Sequence, residues 1–338
     1  SLRRLQMLGH RPIVLAGGAT GMVGDPSGRS EERNLLDADT LAANVSNIKT
    51  QLERLLDFDG GTNRALLVDN ADWTRNVPVL DFLRDVGKHY RVGKMLSKDA
   101  VSARLNSEHG ISYTEFSYQI LQGLDYLELF RRYGCLLQTG GSDQWGNLTS
   151  GTDLIHRVEG ATAHILATPL ITNSDGKKFG KSEGNAIWLD AELTSPFAFY
   201  QFWLNVEDAD VIDRLKVFTF LTSVEIAELA KTVEEAPQQR MAQKRLAFEV
   251  TALVHSEAEA IAVRDASVAL FGTGDLFALD RKTLADALAE LPNTSAPLGA
   301  PITQLLVDTG LVASLSAARR AISEGGVSLN NEKITDEA

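Results

Sequence analysis

"RPIVLAGGATGMVGDPSGR", residues 11–29, sets the architecture of this chain. Its first part, "RPIVLAGG" at 11–18, is a short apolar run ending in glycines. That pattern predicts a buried strand entering a Gly-rich turn. The rest is a loop of small residues that carries Asp25, Pro26 and Arg29. Glycines allow backbone N–H groups to approach a phosphate closely, so Gly17 and Gly18 are candidate nucleotide contacts. The spacing matches neither the P-loop nor the dinucleotide fingerprint, and taken alone the loop also reads as an ordinary turn. Asp25 adds a carboxylate at the carboxyl end of a strand, where open α/β sheets bind ligands.

Working outward, strand-like and helical patterns alternate. "DADTLAANVSNIKTQLERLLDF", 37–58, is a helix with apolar positions at Leu41, Val45, Ile48, Leu52 and Leu55. "RALLVDNADW", 64–73, reads as a second strand with Asn70 and Asp72 at its exit, and "TAHILATPLI", 162–171, as a further strand. Helices are expected over 79–90 and 114–133. Such alternation implies an α/β layered fold. Near 204 the character changes, and helix follows helix to about 291. A Pro-, Ser- and Gly-rich linker covers 292–300. After it come two short helical patterns, a Gly-Gly turn and a strand-like "VSLN". The first twelve residues have the period of a helix, with no initiating methionine and no cap, so a preceding segment is expected.

The 338 residues carry a formal net charge of -12. This argues against a broad nucleic-acid-coating surface but not against a local basic groove. A single cysteine, Cys135, excludes an internal disulfide framework and fits a reducing compartment such as the cytoplasm. No apolar run is long enough to span a membrane. The six histidines lack metal-ligand spacing, so no protein metal cage is expected.

Three further stretches concentrate polar chemistry. In "YQILQGLD", Tyr118, Gln122 and Asp125 fall at i, i+4 and i+7, on one helical face. That face suits a zwitterionic or phenolic ligand, and it also reads as a solvated surface. "LLQTGGSDQWGN", 136–147, leads through a Gly-Gly turn to Ser142, Asp143, Gln144 and Asn147, which line either a ligand or the surface. "ITNSDGKKFGKSEGN", 171–185, places Lys177, Lys178 and Lys181 on a glycine-jointed segment. Lysines on long stems suit phosphate oxygens that move during reaction, though a charge run is more often a solvated face. "PQQRMAQKR", 237–245, is the clearest local basic patch.

Together, "GGATGMVGDPSGR", "FSYQILQGLD", "QTGGSDQWGN" and "KKFGKSEGNAIWLD" occur in one order and spacing. In this the chain resembles the bacterial tyrosyl-tRNA synthetases, class I aminoacyl-tRNA synthetases. The resemblance implies a Rossmann-like parallel-sheet catalytic domain over 1–203 that lacks its N-terminal part. It implies a largely helical insertion near 75–135, a helical domain for the tRNA anticodon region over 204–291, and a partial S4-like RNA-binding module over 301–338. The implied reaction joins L-tyrosine to tRNA(Tyr) through tyrosyl-adenylate, using ATP and releasing AMP and pyrophosphate. Mg²⁺ is expected to arrive with ATP. A homodimer formed through 75–135 is also implied.

Residue by residue, Asp25, Asn70, Tyr118 and Gln122 match positions near the tyrosine ammonium group. Asp125 matches the acceptor of the phenolic hydrogen bond. Gln144 matches a catalytic position beside the reacting carboxylate, Asp143 the ribose contact, and Gly141 the adenosine-side loop. Lys178, Phe179, Lys181 and Ser182 match the ATP-binding signature loop, its lysines acting on pyrophosphate, with Arg29 and Arg33 as further cations on the same leaving group. The family's upstream tyrosine and histidine signature have no counterpart here, and His10 sits too late to supply one. Omission of a preceding segment is the favoured explanation. A tryptophanyl enzyme of the same class and a non-catalytic RNA-binding paralogue are the competing readings.

Overall fold

The computed structural model describes residues 1–25, 37–174, 179, 187–271, 274–289 and 291–334. Its compact units are Ser1–Thr172 and Asn173–Ala338.

In the first unit, helix α1 (Leu2–Met7) leads to strand β1 (Ile13–Ala16). Helix α2 (Ala38–Leu55) follows, its first turn capped by Asp37, whose side chain accepts from the N–H groups of Asp39 and Thr40. Strand β2 (Leu66–Asp69) runs parallel to β1, with Ile13 opposite Leu66 and Ala16 opposite Asp69. The short helices α3 (Ala71–Thr74), α4 (Val79–Asp81), α5 (Val92–Leu96) and α6 (Asp99–Leu105) precede the long α7 (Tyr113–Tyr133). Strand β3 (Leu137–Gly141), helix α8 (Trp145–Glu159) and strand β4 (His164–Thr168) complete the unit. β3 and β4 are also parallel, with Leu137 opposite His164 and Gly141 opposite Thr168.

Two expectations are corrected in detail. Gly140 and Gly141 are not a turn but the last two residues of β3, paired with Ala167 and Thr168. The turn comes one residue later, as a 3₁₀ turn over Ser142–Gln144. The helix expected over 79–90 is α-helical only at Val79–Asp81; it widens to a π turn at Phe82–Val86 and tightens to a 3₁₀ turn at Gly87–His89.

The unit's main core sits where α7 crosses α8. Ile120, Leu124, Tyr126 and Leu127 from α7 meet Leu154 and Ile155 from α8, with Met95 and Val86 beside them. A smaller cluster of Val68, Trp73 and Leu129 covers the strands β1 and β2. Burial of this apolar surface is the main term fixing the strand ends that carry the site.

The second unit is almost wholly helical: α9 (Pro196–Leu204), α10 (Asp208–Phe218), α11 (Ser223–Glu235), α12 (Met241–Val254), α13 (Glu257–Phe271) and α14 (Arg281–Leu288). Its core joins Phe197, Phe199, Tyr200 and Trp203 to Leu215, Leu246 and Val250. The sequence change expected at 203/204 therefore falls at the end of α9, whereas the units part at 172/173, because the aromatic face of α9 buries into the helical core. Residues 292–300 form no helix or strand, and then α15 (Ile302–Asp308), α16 (Leu315–Ser323) and an antiparallel hairpin of β5 (Ser328–Leu329) and β6 (Glu332–Lys333) follow. Among the described residues no helix is long and apolar enough to cross a membrane.

Candidate functional site

Residues 17–25, the described part of the loop after β1, are held at their start and at Asp25 by side chains from other strand exits. At its start, Gly18 N–H donates to Asp69 Oδ1 (3.0 Å), and Ala19 N–H donates to Asn70 Oδ1 (2.8 Å). Asp69 and Asn70 stand at the end of β2. A Cβ on Gly18 would lie 2.3 Å from both carboxylate oxygens of Asp69, so only glycine allows this approach. The Gly18 N–H predicted as a phosphate contact is thus already engaged by Asp69.

Asn70 is the hub of a buried polar network. Its amide Nδ2 donates to Thr20 Oγ1 (2.8 Å) and to Asp125 Oδ2 (2.9 Å). Trp73 Nε1 donates to the other oxygen, Asp125 Oδ1, at 2.8 Å. Asn70, Asp125, Thr20 and Trp73 are all buried, Asp125 to 2% exposure. The solvated-face reading of "YQILQGLD" therefore fails at Asp125. Burial pushes its carboxyl up to about 6, against the opposing pull of the Asn70 and Trp73 hydrogen bonds, with Asp69 and Glu128 adding repulsion. Each Asp125 oxygen accepts one of these hydrogen bonds and has a second lone pair able to accept another. Tyr118 and Gln122 are half-buried on the same helix, two turns and one turn before it.

Asp25, the last described residue of this stretch, reaches the exit of β3. Gln144 Nε2 donates to Asp25 Oδ2 (2.9 Å), and Asn147 Nδ2 donates to Asp25 Oδ1 (3.3 Å) and to Gln144 Oε1 (3.0 Å). Gly141 and Asp143 flank this triangle along the chain. A Cβ on Gly141 would sit 2.6 Å from Asp143 Oδ1. A cavity of about 710 Å³ adjoins this turn, lined by Lys98, Phe116, Gln119, Asp143, Trp145 and Asn147 among others.

The structure thus gathers Asp25 with Gln144, and Asn70 with Asp125, around one loop. Arg29, Arg33, Lys178, Lys181 and Ser182 lie outside the described residues. Phe179 is described, and its ring packs in the helical unit against Phe202, Trp203 and Phe218. Of the basic patch at 237–245, Arg240 is turned inward, donating to the carbonyls of Leu204 (2.8 Å) and Val206 (3.2 Å), and Arg245 pairs with Glu249 (2.8 Å). Sequence reasoning missed Trp73, Asp69 and Thr20 as site members and offered Asn147 only as a residue lining either a ligand or the surface. A tryptophan beside a strand exit was the available signal for the first, since a buried indole N–H seeks an acceptor.

Residues 1–272 match the family described as tRNA synthetases class I (W and Y), and residues 283–338 match the Tyrosine--tRNA ligase SYY-like C-terminal domain. A tyrosine--tRNA ligase of Leifsonia xyli is 62% identical over 337 residues, 99% of this chain and 76% of that protein. One of Mycobacterium bovis is 53% identical over 340 residues, covering 100% and 80%. Among solved structures, a C-terminally truncated mitochondrial tyrosyl-tRNA synthetase of Aspergillus nidulans superposes with a TM-score of 0.72 at 33% identity, over 80% of this chain and 79% of that one. An Archaeoglobus fulgidus tyrosyl-tRNA synthetase complexed with L-tyrosine shares the fold, with a TM-score of 0.52 at 16% identity, over 78% of this chain and 83% of that one.

Proposed function

The chain belongs to the class I tRNA synthetases of the tryptophan and tyrosine type and ligates tyrosine to tRNA, and from this premise we propose how its side chains divide the work. The reaction is ATP-dependent. Tyrosine's carboxylate attacks the α-phosphate, pyrophosphate leaves, and the tRNA acceptor end takes the tyrosyl group from the adenylate with release of AMP. No side-chain nucleophile is required, so catalysis is positioning and charge stabilisation.

Asp125 accepts the phenolic hydrogen bond. The observation that carries this role is its burial, at 2% exposure, between two fixed donors, Asn70 and Trp73, which leaves acceptor capacity shielded from bulk solvent. Phenylalanine would leave that capacity unmet in a buried site. Tyrosine-specific synthetases are themselves the reference case for this effect, roughly 10⁴–10⁵-fold, so the magnitude is inherited from them. Asn70 acts by holding Asp125 and the start of the loop, its amide already committed to both. Asp25, with Tyr118 and Gln122, receives the tyrosine ammonium. Gln144 is oriented by Asp25 and Asn147 toward the reacting carboxylate. Gly17, Gly141, Asp143 and Ser182 belong to the ATP side; the N–H of Gly18 is taken by Asp69 and the ring of Phe179 by the helical core, so these two serve that side by placing the backbone around them.

Lys178 and Lys181, with Arg29 and Arg33, bind the pyrophosphate more strongly as charge builds on it, which lowers the barrier instead of tightening the ground state. Mg²⁺ enters with ATP. The working protein is a cytoplasmic homodimer joined through 75–135, where Val79, Leu80, Val92 and Tyr113 expose large apolar surfaces.

Rapid-quench measurement of adenylate formation tests the assignments. Lys181→Ala should slow the step with little change in tyrosine affinity, and an unchanged rate would remove the clamp. Asp125→Ala should erode tyrosine–phenylalanine discrimination in ATP–pyrophosphate exchange; undiminished discrimination would move the phenol site elsewhere.

A further inference from the structure

Phe179 lies inside the lysine-bearing sequence, directly after Lys178 and two residues before Lys181. Its ring is seated in an aromatic socket of the helical unit, 5.7 Å from Phe202, 5.5 Å from Trp203 and 5.6 Å from Phe218 between centroids. The guanidinium of Arg214 covers the same ring at 4.7 Å. Arg214 is 4% exposed, so this cation–π contact is largely desolvated, the condition under which such contacts are strongest.

Arg214 also grips the chain on the other side of the lysines. Its Nη2 donates to Asn173 Oδ1 at 3.1 Å, and its carboxylate neighbour Asp210 accepts from Ser174 N–H at 3.1 Å while facing Arg214 at 3.8 Å. One turn of α10 therefore holds residues 173, 174 and 179, which bracket Lys178 and lead directly to Lys181. A buried guanidinium carries five N–H donors, more than one acid four residues before it, at 3.8 Å, can satisfy. It is the convergence of these contacts on one short stretch that gives the residue a task.

We propose that Arg214 is a positioning residue for adenylation, anchoring the lysine-bearing sequence to α10 through Phe179 and Asn173. The proposal rests on the reading of Lys178 and Lys181 as pyrophosphate ligands. Losing the anchor leaves the tyrosine pocket untouched and lowers the fraction of molecules whose lysines meet the leaving group.

The test is a double-mutant cycle on the full-length chain, read by rapid-quench adenylate formation and by tyrosine binding. Arg214→Gln should slow adenylate formation by about tenfold, with tyrosine affinity unchanged to within about twofold. In a Lys181→Ala background the same substitution should cost less than about twofold, because the residue acts through the lysine. Phe179→Leu, which leaves α10 intact, should slow the step in the same direction and guards against a folding defect in the arginine variant. Arg214→Lys keeps the charge but not the planar stack, and should recover only part of the rate. Full additivity of the two losses, or an unchanged rate in both Arg214→Gln and Phe179→Leu, overturns the proposal. If Lys181→Ala alone has no effect, the pyrophosphate reading fails first; if it does and Arg214→Gln does not, only the anchor fails.

Discussion

The indole Nε1 of Trp73 donates a 2.8 Å hydrogen bond to Oδ1 of Asp125, a carboxylate at 2% exposure. A neutral donor eases burial of that carboxylate but does not neutralise it, and the carboxyl is still pushed up to about 6 by desolvation. Because the folded value lies above the unfolded one of 3.8, the folded state holds the proton more tightly. Its contribution to stability is fully present below about pH 4 and is lost as pH rises through about 6. Asp125→Asn removes this titration. Relative to the variant, the unmodified protein should lose about 3 kcal/mol between pH 4 and pH 7 and then level off. Chemical unfolding of both proteins without tyrosine, at pH 4.5, 6 and 7.5, checks the sign and the plateau.

Tyrosine use should follow the same carboxyl. Below about pH 6 the protonated group loses acceptor capacity, so the KM for tyrosine in pyrophosphate exchange should rise as pH falls. Trp73→Phe removes a donor to the carboxylate and should shift that rise to higher pH, because the ionised form loses a stabilising bond. A pH profile unmoved by Trp73→Phe would detach the indole from the recognition chemistry.

Gly123 permits the closest approach in the first unit. A Cβ there would lie 1.9 Å from Tyr90 Oη, and that hydroxyl donates to the Ser150 carbonyl at 3.2 Å. Gly123→Ala must push Tyr90 away and disturb the packing of α7 on α8, at a cost of about 1–3 kcal/mol. Tyr90→Phe in the same chain should return part of this, since the remaining ring carbon meets the new methyl at 3.1 Å. Unfolding midpoints of the single and double variants give the comparison.

Arg104 and Glu115 form a 2.5 Å ion pair at 4% and 1% exposure. Arg104 Nε and Nη1 and Glu115 Oε1 have no hydrogen-bond partner among the described residues. Glu115→Leu strands a buried cation and should cost about 3–5 kcal/mol, whereas Arg104→Met with Glu115→Leu should recover most of it or exceed the original stability. A double variant as unstable as the single one would mean that the pair is offset by contacts its geometry does not reveal.

The legible parts of this molecule were those whose signals are local. β1, β2 and β4 are apolar runs with glycine, asparagine or threonine at their ends, and α7 begins after Ser112, whose hydroxyl caps Glu115 N–H. The spacing of Tyr118, Gln122 and Asp125 fixed a shared face. Gly140 and Gly141 misled because glycine usually punctuates, whereas here both are paired strand residues, and it is at Gly141 that a Cβ would crowd Asp143 Oδ1, at 2.6 Å. Trp73 could not be assigned because its partner lies 52 positions away, and Asn147 because Asp25 lies 122 away. Such pairings depend on which strand exits become neighbours, and periodicity within one segment carries no information about that.

The β5–β6 hairpin turns through Asn330 and Asn331, with φ of 51° and 68°, the geometry of a tight two-residue turn. Asn331 also leaves the hairpin: its Nδ2 donates to the carbonyls of Ala269 (2.7 Å) and Gly274 (2.8 Å) near the end of α13. Asparagine is therefore asked both to tolerate left-handed backbone and to pin the C-terminal module to the helical core. Glycine meets only the first demand and alanine neither. Asn331→Gly should weaken the docking by about 1–3 kcal/mol, and Asn331→Ala by roughly 1 kcal/mol more for the backbone strain. Hydrogen exchange at residues 328–333 should accelerate in that order, while adenylate formation stays unchanged because no residue assigned to that step lies in the hairpin. Equal protection in Asn331→Gly and the unmodified chain would show that apolar packing alone, through Ala318, Ile322 and Val327, holds the module in place.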